Sequence, residues 1–147
     1  MTKRIDYAAI SPEAIKILHQ QEAYLRHQFQ QSDTVPVRTW ELVKLRVSQI
    51  NQCAFCIDMH SKTAERIYGL SAWRDMPLYS DAERAALGWA ERVTSGQPID
   101  EEAYQHALDG FGPQSLVDLT LAINAINSWN RIVKVFKPEV GRYQPRK

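Results

Sequence analysis

The sequence predicts an all-α fold, and three observations carry that expectation. Apolar residues recur at helical spacing through several long stretches. Helix-start signals stand at Ser11-Pro12-Glu13, at Ser80-Asp81-Ala82-Glu83 and at Asp100. No run alternates apolar and polar residues as a half-buried strand would, and no glycine-rich phosphate loop or internal repeat is present. At 147 residues the chain reads as one domain, 1–147. Its core spans about residues 12–136, with a short N-terminal arm and a C-terminal tail, and about six to seven helices form the bundle.

Taken in order, Ser11 supplies a capping hydroxyl, Pro12 a first helical position and Glu13 a first-turn acid. Ala14, Leu18, Leu25 and Phe29 then place an apolar stripe on a helix running to about Gln31. A second helix starts at Pro36 or Val37, with Leu42, Leu45 and Val47 apolar and Ile50 near its end; Lys44 and Arg46 are expected to point outward or snorkel. A brief turn at Asn51-Gln52 lets Cys53 open a third helix, expected to run to Tyr68 with Gly69 as its cap. A connector to Tyr79 holds one helical turn around Ala72 to Asp75.

The capping box at Ser80 to Glu83 starts a helix carrying Ala86, Trp89, Ala90 and Val93 and ending before Gly96. Asp100 caps another, to about Leu108, and Gly110-Phe111-Gly112-Pro113 breaks it. The last helix runs from Pro113 to Phe136. Leu116, Leu119, Ile123 and Ile126 make one apolar side, and Val117, Leu121, Ile132 and Val135 make another. A helix of that kind is central in a fold or pressed against a second subunit. Asn124, Asn127 and Asn130 lie three apart along it and need partners where buried.

Composition narrows the function. Hydrophobic residues at 44% and charged residues at 24% are ordinary for a soluble globular protein. Eighteen basic and seventeen acidic residues, well mixed, give a net charge of +1 and no basic stripe for nucleic acid. The basic end, Arg142 to Lys147, reads as a solvated tail. No apolar run is long enough for a membrane span, and Met1 to Tyr7 lacks the apolar core of a secretory signal, so a cytoplasmic location is expected by default. In a reducing compartment, two cysteines point to redox activity or metal binding before a structural staple.

Both cysteines fall in one stretch, Cys53-Ala-Phe-Cys56-Ile-Asp-Met-His60, and Glu41 precedes the first by twelve residues. On a helix, Cys53, Cys56 and His60 share one stripe. Residues three apart on a helix have Cα atoms ~5 to 5.5 Å apart, within reach of a disulfide. A free thiol with a pKa near ~8.5 is mostly protonated at neutral pH, so a thiolate needs a base. His60, one turn past Cys56, is placed as that base, and Glu41 as the group that orients it and holds positive charge on it. A helix start favours Cys53 as the thiolate, while the histidine favours Cys56; the residues alone leave that order open. Such a set suits peroxide reduction, in which a thiolate becomes a sulfenic acid and the second thiol condenses with it. Three other readings compete. The four groups could ligate zinc, the cysteines could be buried and inert, or the disulfide could act as a redox sensor without efficient turnover. The βαβ context of a thioredoxin-like motif is missing.

The spacing of Glu41, Cys53, Cys56 and His60 resembles the signature of the AhpD-like alkylhydroperoxidases of the carboxymuconolactone decarboxylase superfamily, in their short single-repeat form. Ala86-Leu-Gly-Trp89-Ala-Glu-Arg-Val-Thr94 and Asn127-Ser-Trp129-Asn130-Arg131 are also similar to family segments, so the likeness covers roughly residues 12–136. The resemblance implies an all-helical bundle that assembles into trimers or hexamers, and a peroxidase acting on hydrogen peroxide or organic hydroperoxides. It makes Cys56 the peroxidatic thiol, Cys53 the resolving one, and His60 with Glu41 the proton relay. No bound cofactor or metal is implied. The reductant would be an external dithiol, of lipoyl or thioredoxin-like type. Two departures stand out. Phe55 occupies a place where founding members carry a histidine, and Gln52 one where many relatives have glycine, so a tighter or more helical turn is expected there. The decarboxylase branch lacks the cysteine pair, and lactone decarboxylation is not expected.

Overall fold

A computed structural model describes residues 2–145; Met1, Arg146 and Lys147 lie outside the described residues, the last two belonging to the basic end noted above. Among the described residues there is no strand, and the helices are α1 (Tyr7–Ile10), α2 (Pro12–Gln31), α3 (Val37–Ile50), α4 (Ala54–Ser61), a 3-10 helix (Ile67–Ala72), α5 (Asp81–Thr94), α6 (Glu101–Phe111) and α7 (Pro113–Phe136). The all-α expectation holds, and the element count rises to eight. The added helix is α1, whose first amides at Ala8 and Ala9 are capped by Asp6. It docks the N-terminal arm on the end of α7 through the Tyr7–Phe136 ring pair and the bond from Arg4 to the Val135 carbonyl.

The hub is α3, which packs against α2, α4, α5, α7 and the 3-10 helix. Nine of its fourteen residues are buried. Trp40, Val43 and Val47 face the main core with Leu25 and Phe29 of α2, Ala86 and Ala90 of α5, and Leu119, Ile123 and Ile126 of α7. Leu42 and Leu45 face a second cluster with Leu70, Trp73, Tyr79 and Leu87. With apolar neighbours on both sides, no solvent face remains for Lys44. The expectation that Lys44 points outward is therefore corrected: it is 5% exposed. Arg46 reaches the half-buried Glu91 at 2.9 Å instead of solvent.

Local details differ from the sequence reading, and the helical turn expected around Ala72 to Asp75 falls earlier, at Ile67–Ala72. Ser11 makes no side-chain cap bond; its amide instead closes α1 on the Tyr7 carbonyl. α4 stops at Ser61, not Tyr68, because the chain reverses at Arg66 into the left-handed region (φ 54°). That reversal lets the Arg66 guanidinium bond the buried carboxylate of Glu83 and lets its carbonyl accept from the Tyr79 hydroxyl. Gly69 is accordingly not a cap. It lies inside the 3-10 helix, where the Met76 side chain packs directly on it, and a Cβ there would meet Met76 Cγ at 2.6 Å. α6 continues through Gly110 to Phe111 and is ended by Gly112 at φ 77°. By contrast the capping box of Ser80 and Glu83, the Asp100 cap and the bounds of α7 stand as read. On α7 the first apolar side is buried, whereas Val117 and Val135 of the second are 57% and 56% exposed.

The α3–α4 turn breaks the helix as expected, but not by becoming more helical at Gln52. Gln52 takes φ 51°, a conformation that costs a non-glycine residue roughly 1–2 kcal/mol. Gln52→Gly should therefore raise the unfolding free energy by about 1 kcal/mol in urea denaturation with an unchanged m-value. An unchanged or lower stability would mean the glutamine side chain contributes more than its backbone costs.

Candidate active site

Asn51 governs where the cysteines sit. Its amide donates at 2.9 Å to Asn127 and at 2.9 Å to Asn130, both on α7. Asn130 in turn donates to the Ser48 hydroxyl at 3.1 Å, and Asn127 to the Ile123 carbonyl at 2.9 Å. Lys134 donates to the Asn51 carbonyl at 2.7 Å. A helix end that could fray is thus tied to the longest helix. The Cys53 amide then bonds the Ser48 carbonyl at 3.0 Å, and Cys53 takes the extended backbone of a helix cap. Of the three asparagines marked in the sequence, Asn127 and Asn130 form this clamp and Asn124 is exposed.

From that cap, Cys56 falls one turn into α4, and the two cysteines are joined as a disulfide with Cα atoms 5.3 Å apart. The spacing is the one helix geometry requires. Both residues are nearly sealed, at 1% and 2% exposure, and pack with Val133 and Phe55. Phe55, in the place of the relay histidine, contributes apolar cover. A cavity of about 500 Å³ bounded by Arg46, Trp89, Glu91 and Phe111 does not include either cysteine. A shallower depression lies over Gln52, Ala54 and Ile57 at the start of α4, again without the cysteines among its walls.

Glu41 stands on α3, and His60 lies near the end of α4. Glu41 is buried, and each carboxylate oxygen has a partner: Lys44 Nζ at 3.0 Å from Oε1, and the Thr63 hydroxyl donating to Oε2 at 2.9 Å. Arg26 of α2 adds a guanidinium nitrogen 3.6 Å from Oε1. The Thr63 hydroxyl also lies 3.1 Å from the His60 carbonyl, so Glu41 meets the histidine's backbone through one side chain. Among the described residues no hydrogen bond joins the carboxylate to the imidazole itself. Lys44 sits with Nζ 3.9 Å from the centroid of Trp40, and Arg26 stands 5.1 Å from it, so two cations flank one indole.

These positions set the charges. Burial alone would raise Glu41, but the Lys44 ammonium, the Lys44 and Thr63 hydrogen bonds and His60 outweigh it and hold the carboxyl below its ordinary range. His60, half-buried, is pushed down to about 4, first by burial and then by Lys44, with Glu41 pulling the other way. Glu22, also facing this cluster from α2, is raised, chiefly by burial and in part by Glu41, against Lys44, Arg26 and His19. His60 is thus neutral at pH 7 while Glu41 is an anion.

Of the four residues singled out by the sequence, Cys53 and Cys56 are bonded to each other, and Glu41 is linked to the His60 backbone through Thr63. Lys44, Trp40, Thr63, Arg26 and Glu22 were missed. Lys44 had one readable signal, its i,i+3 spacing from Glu41 on a helix apolar on most sides. Arg26 and Glu22 had none, since only packing of α2 on α3 brings them in. Among the described residues no group of three or more His, Cys, Asp or Glu is placed to hold a metal ion. Buried cysteines were one of the competing readings; they are buried, but bonded to each other.

The sequence and the fold match known proteins. The model of the carboxymuconolactone decarboxylase family matches residues 16–92. An uncharacterized Bacillus subtilis protein, YdfG, is 40% identical over 141 residues, covering 90% of this chain and 92% of that one. Escherichia coli YnjA, also uncharacterized, is 37% identical over 94 residues, covering 58% of this chain and 52% of its own length. A crystal structure from Agrobacterium tumefaciens superposes with a TM-score of 0.82 at 37% identity, covering 97% of this chain and all of that one. That protein is of unknown function, with a suggested identity as the antioxidant defence protein AhpD. The chain belongs to the carboxymuconolactone decarboxylase family, as an AhpD-like member carrying a redox-capable cysteine pair.

The histidine has a measurable consequence for the fold. Its proton affinity is lower folded than unfolded, so the unfolded chain binds more protons between about pH 6.5 and 4. Stability should be full above that window and fall as pH drops through it; protonation of Glu41 adds a further loss below the ordinary carboxylate pKa of 4.5. His60→Gln should flatten the slope of the urea midpoint between those pH values. The same slope in the variant would place the effect elsewhere.

Proposed function

We propose that this protein is a thiol-dependent peroxidase, reducing hydrogen peroxide or organic hydroperoxides through a dithiol/disulfide cycle. The observation that carries the reading is the Cys53–Cys56 disulfide on the first turn of α4, with His60 one turn further along. In the dithiol form, neutral His60 takes the Cys56 proton and the thiolate attacks the terminal peroxide oxygen. The O–O bond breaks, the alcohol or water leaves with the proton from His60, and Cys56 becomes a sulfenic acid. The Cys53 thiol attacks that sulfur, water leaves, and the disulfide forms. An external dithiol of lipoyl or thioredoxin-like type is oxidised in resetting the pair, and no bound cofactor enters the cycle. Glu41 is the relay's fixed anion, stabilising the imidazolium while the proton rests there.

Magnitudes constrain the first step. Moving a proton from a thiol near pKa ~8.5 to an imidazole near ~4 is uphill by roughly 6 kcal/mol. The depressed value belongs to the disulfide form, however, in which no thiolate stands beside the ring. A new anion on Cys56 raises the proton affinity of His60, and the two groups titrate as a pair.

The sealed sulfurs favour a second reading in which the same disulfide serves as a redox sensor with slow turnover. Zinc ligation has less support, because both oxygens of Glu41 are already committed to Lys44 and Thr63. The exposed Val117 and Leu121 on α7 support assembly with further copies, as a trimer or hexamer. A cytoplasmic setting is part of the same reading.

Purified protein supplied with dihydrolipoamide should consume peroxide at many turnovers per chain. Cys56→Ser should abolish this, Cys53→Ser should leave a trappable sulfenic acid on Cys56, and His60→Gln should lose about 10²-fold. A single turnover followed by arrest would favour the sensor, and the reverse cysteine pattern would exchange the two thiol roles.

A further inference from the structure

Lys44 is an unusual residue to find inside this fold. It lies on the central helix, 5% exposed, bonded to Glu41 at 3.0 Å and seated on the Trp40 ring at 3.9 Å. A buried ammonium is costly unless charge and geometry compensate it, and here a carboxylate and an aromatic face do so together. Nothing in the peroxidase chemistry proposed above uses it. Yet Lys44 and Glu41 are the two buried charges of α3, and both act on the same imidazole with opposite sign.

We propose that Lys44 is a positioning residue of the thiol site: held between the Glu41 carboxylate and the Trp40 ring, it sets the charge that His60 meets. The proposal rests on the reading of His60 as the proton acceptor. It divides the work between the two members of the relay. With Oε1 on Lys44 and Oε2 on Thr63, Glu41 has its acceptor positions directed at donors that hold it ionised. It supplies a field and does not itself take up the proton. Lys44 in turn outweighs that field at the imidazole, so that His60 accepts a proton only when a thiolate forms beside it.

The other groups facing this cluster come from α2: Glu22, Arg26 and His19. Arg26 reinforces Lys44 at Glu41. Glu22 opposes it, and its carboxyl is itself shifted towards the neutral form. Neither replaces Lys44, whose nitrogen is the nearest cation to Glu41, at 3.0 Å against 3.6 Å for Arg26.

The test follows the His60 ring signals by NMR across pH in the oxidised protein, assigned among the four histidines with His60→Gln. Lys44→Met should raise the His60 titration from about 4 by about one pH unit or more towards its ordinary value. Glu41→Gln should lower it further, and Lys44→Arg should restore the native midpoint. If Lys44→Met does not fold, Lys44→Gln, which keeps a polar contact to Glu41 without the charge, is measured instead. In the reduced protein the acid limb of peroxide consumption should move with the His60 midpoint. An unmoved His60 in a folded Lys44→Met or Lys44→Gln variant overturns the proposal. Because the NMR readout needs no turnover, a protein that consumes no peroxide but shows these opposite shifts loses the peroxidase reading alone.

Discussion

The constraint on which the rest depends is the hold that α7 keeps on Asn51. A disulfide spanning three residues fixes its own local shape but not its place in the molecule. The three amides and the Ser48 hydroxyl supply that place, because they tie the residue that caps the central helix to the longest helix in the fold. Buried amides are useful here for the same reason they are hazardous elsewhere. Removing one strands its partners at a cost of about 1–3 kcal/mol each, so the arrangement is all or nothing. The left-handed Gln52 is tolerated because the residues on either side of it are held: Asn51 by the clamp, and Cys53 by its bond to Ser48.

A second consequence of the central position of α3 is chemical. A helix packed on most sides buries some of its charged residues, and each buried one must find a partner. Glu41 and Lys44 find each other, one turn apart, and recruit Thr63, Trp40 and Arg26. The same packing that makes the helix a scaffold therefore creates the local field at His60. Support and electrostatics are not separable in this protein.

How much of this was legible beforehand depends on the range of the interactions. Caps at Ser80 and Asp100 and the bounds of α7 were readable because local backbone chemistry decides them. The cysteine spacing predicted the 5.3 Å separation for the same reason. The early stop of α4 was not readable, since it depends on Arg66 meeting Glu83 and Tyr79 across the chain. Lys44 was misassigned to the surface because charge is a good guide to exposure only on a helix with a free face. Arg26 and Glu22 carry no signal at all until α2 is laid against α3.

The covered disulfide has a kinetic implication that concerns any reagent, physiological or not. With Phe55 and Val133 packed over both sulfurs, exchange proceeds only from conformations in which the cover has opened. Observed rates then grow with reagent concentration only until opening itself becomes limiting, and above that point they reach a plateau independent of the reagent's intrinsic reactivity. The height of that plateau is a property of the protein alone, a clock built into the first turn of α4.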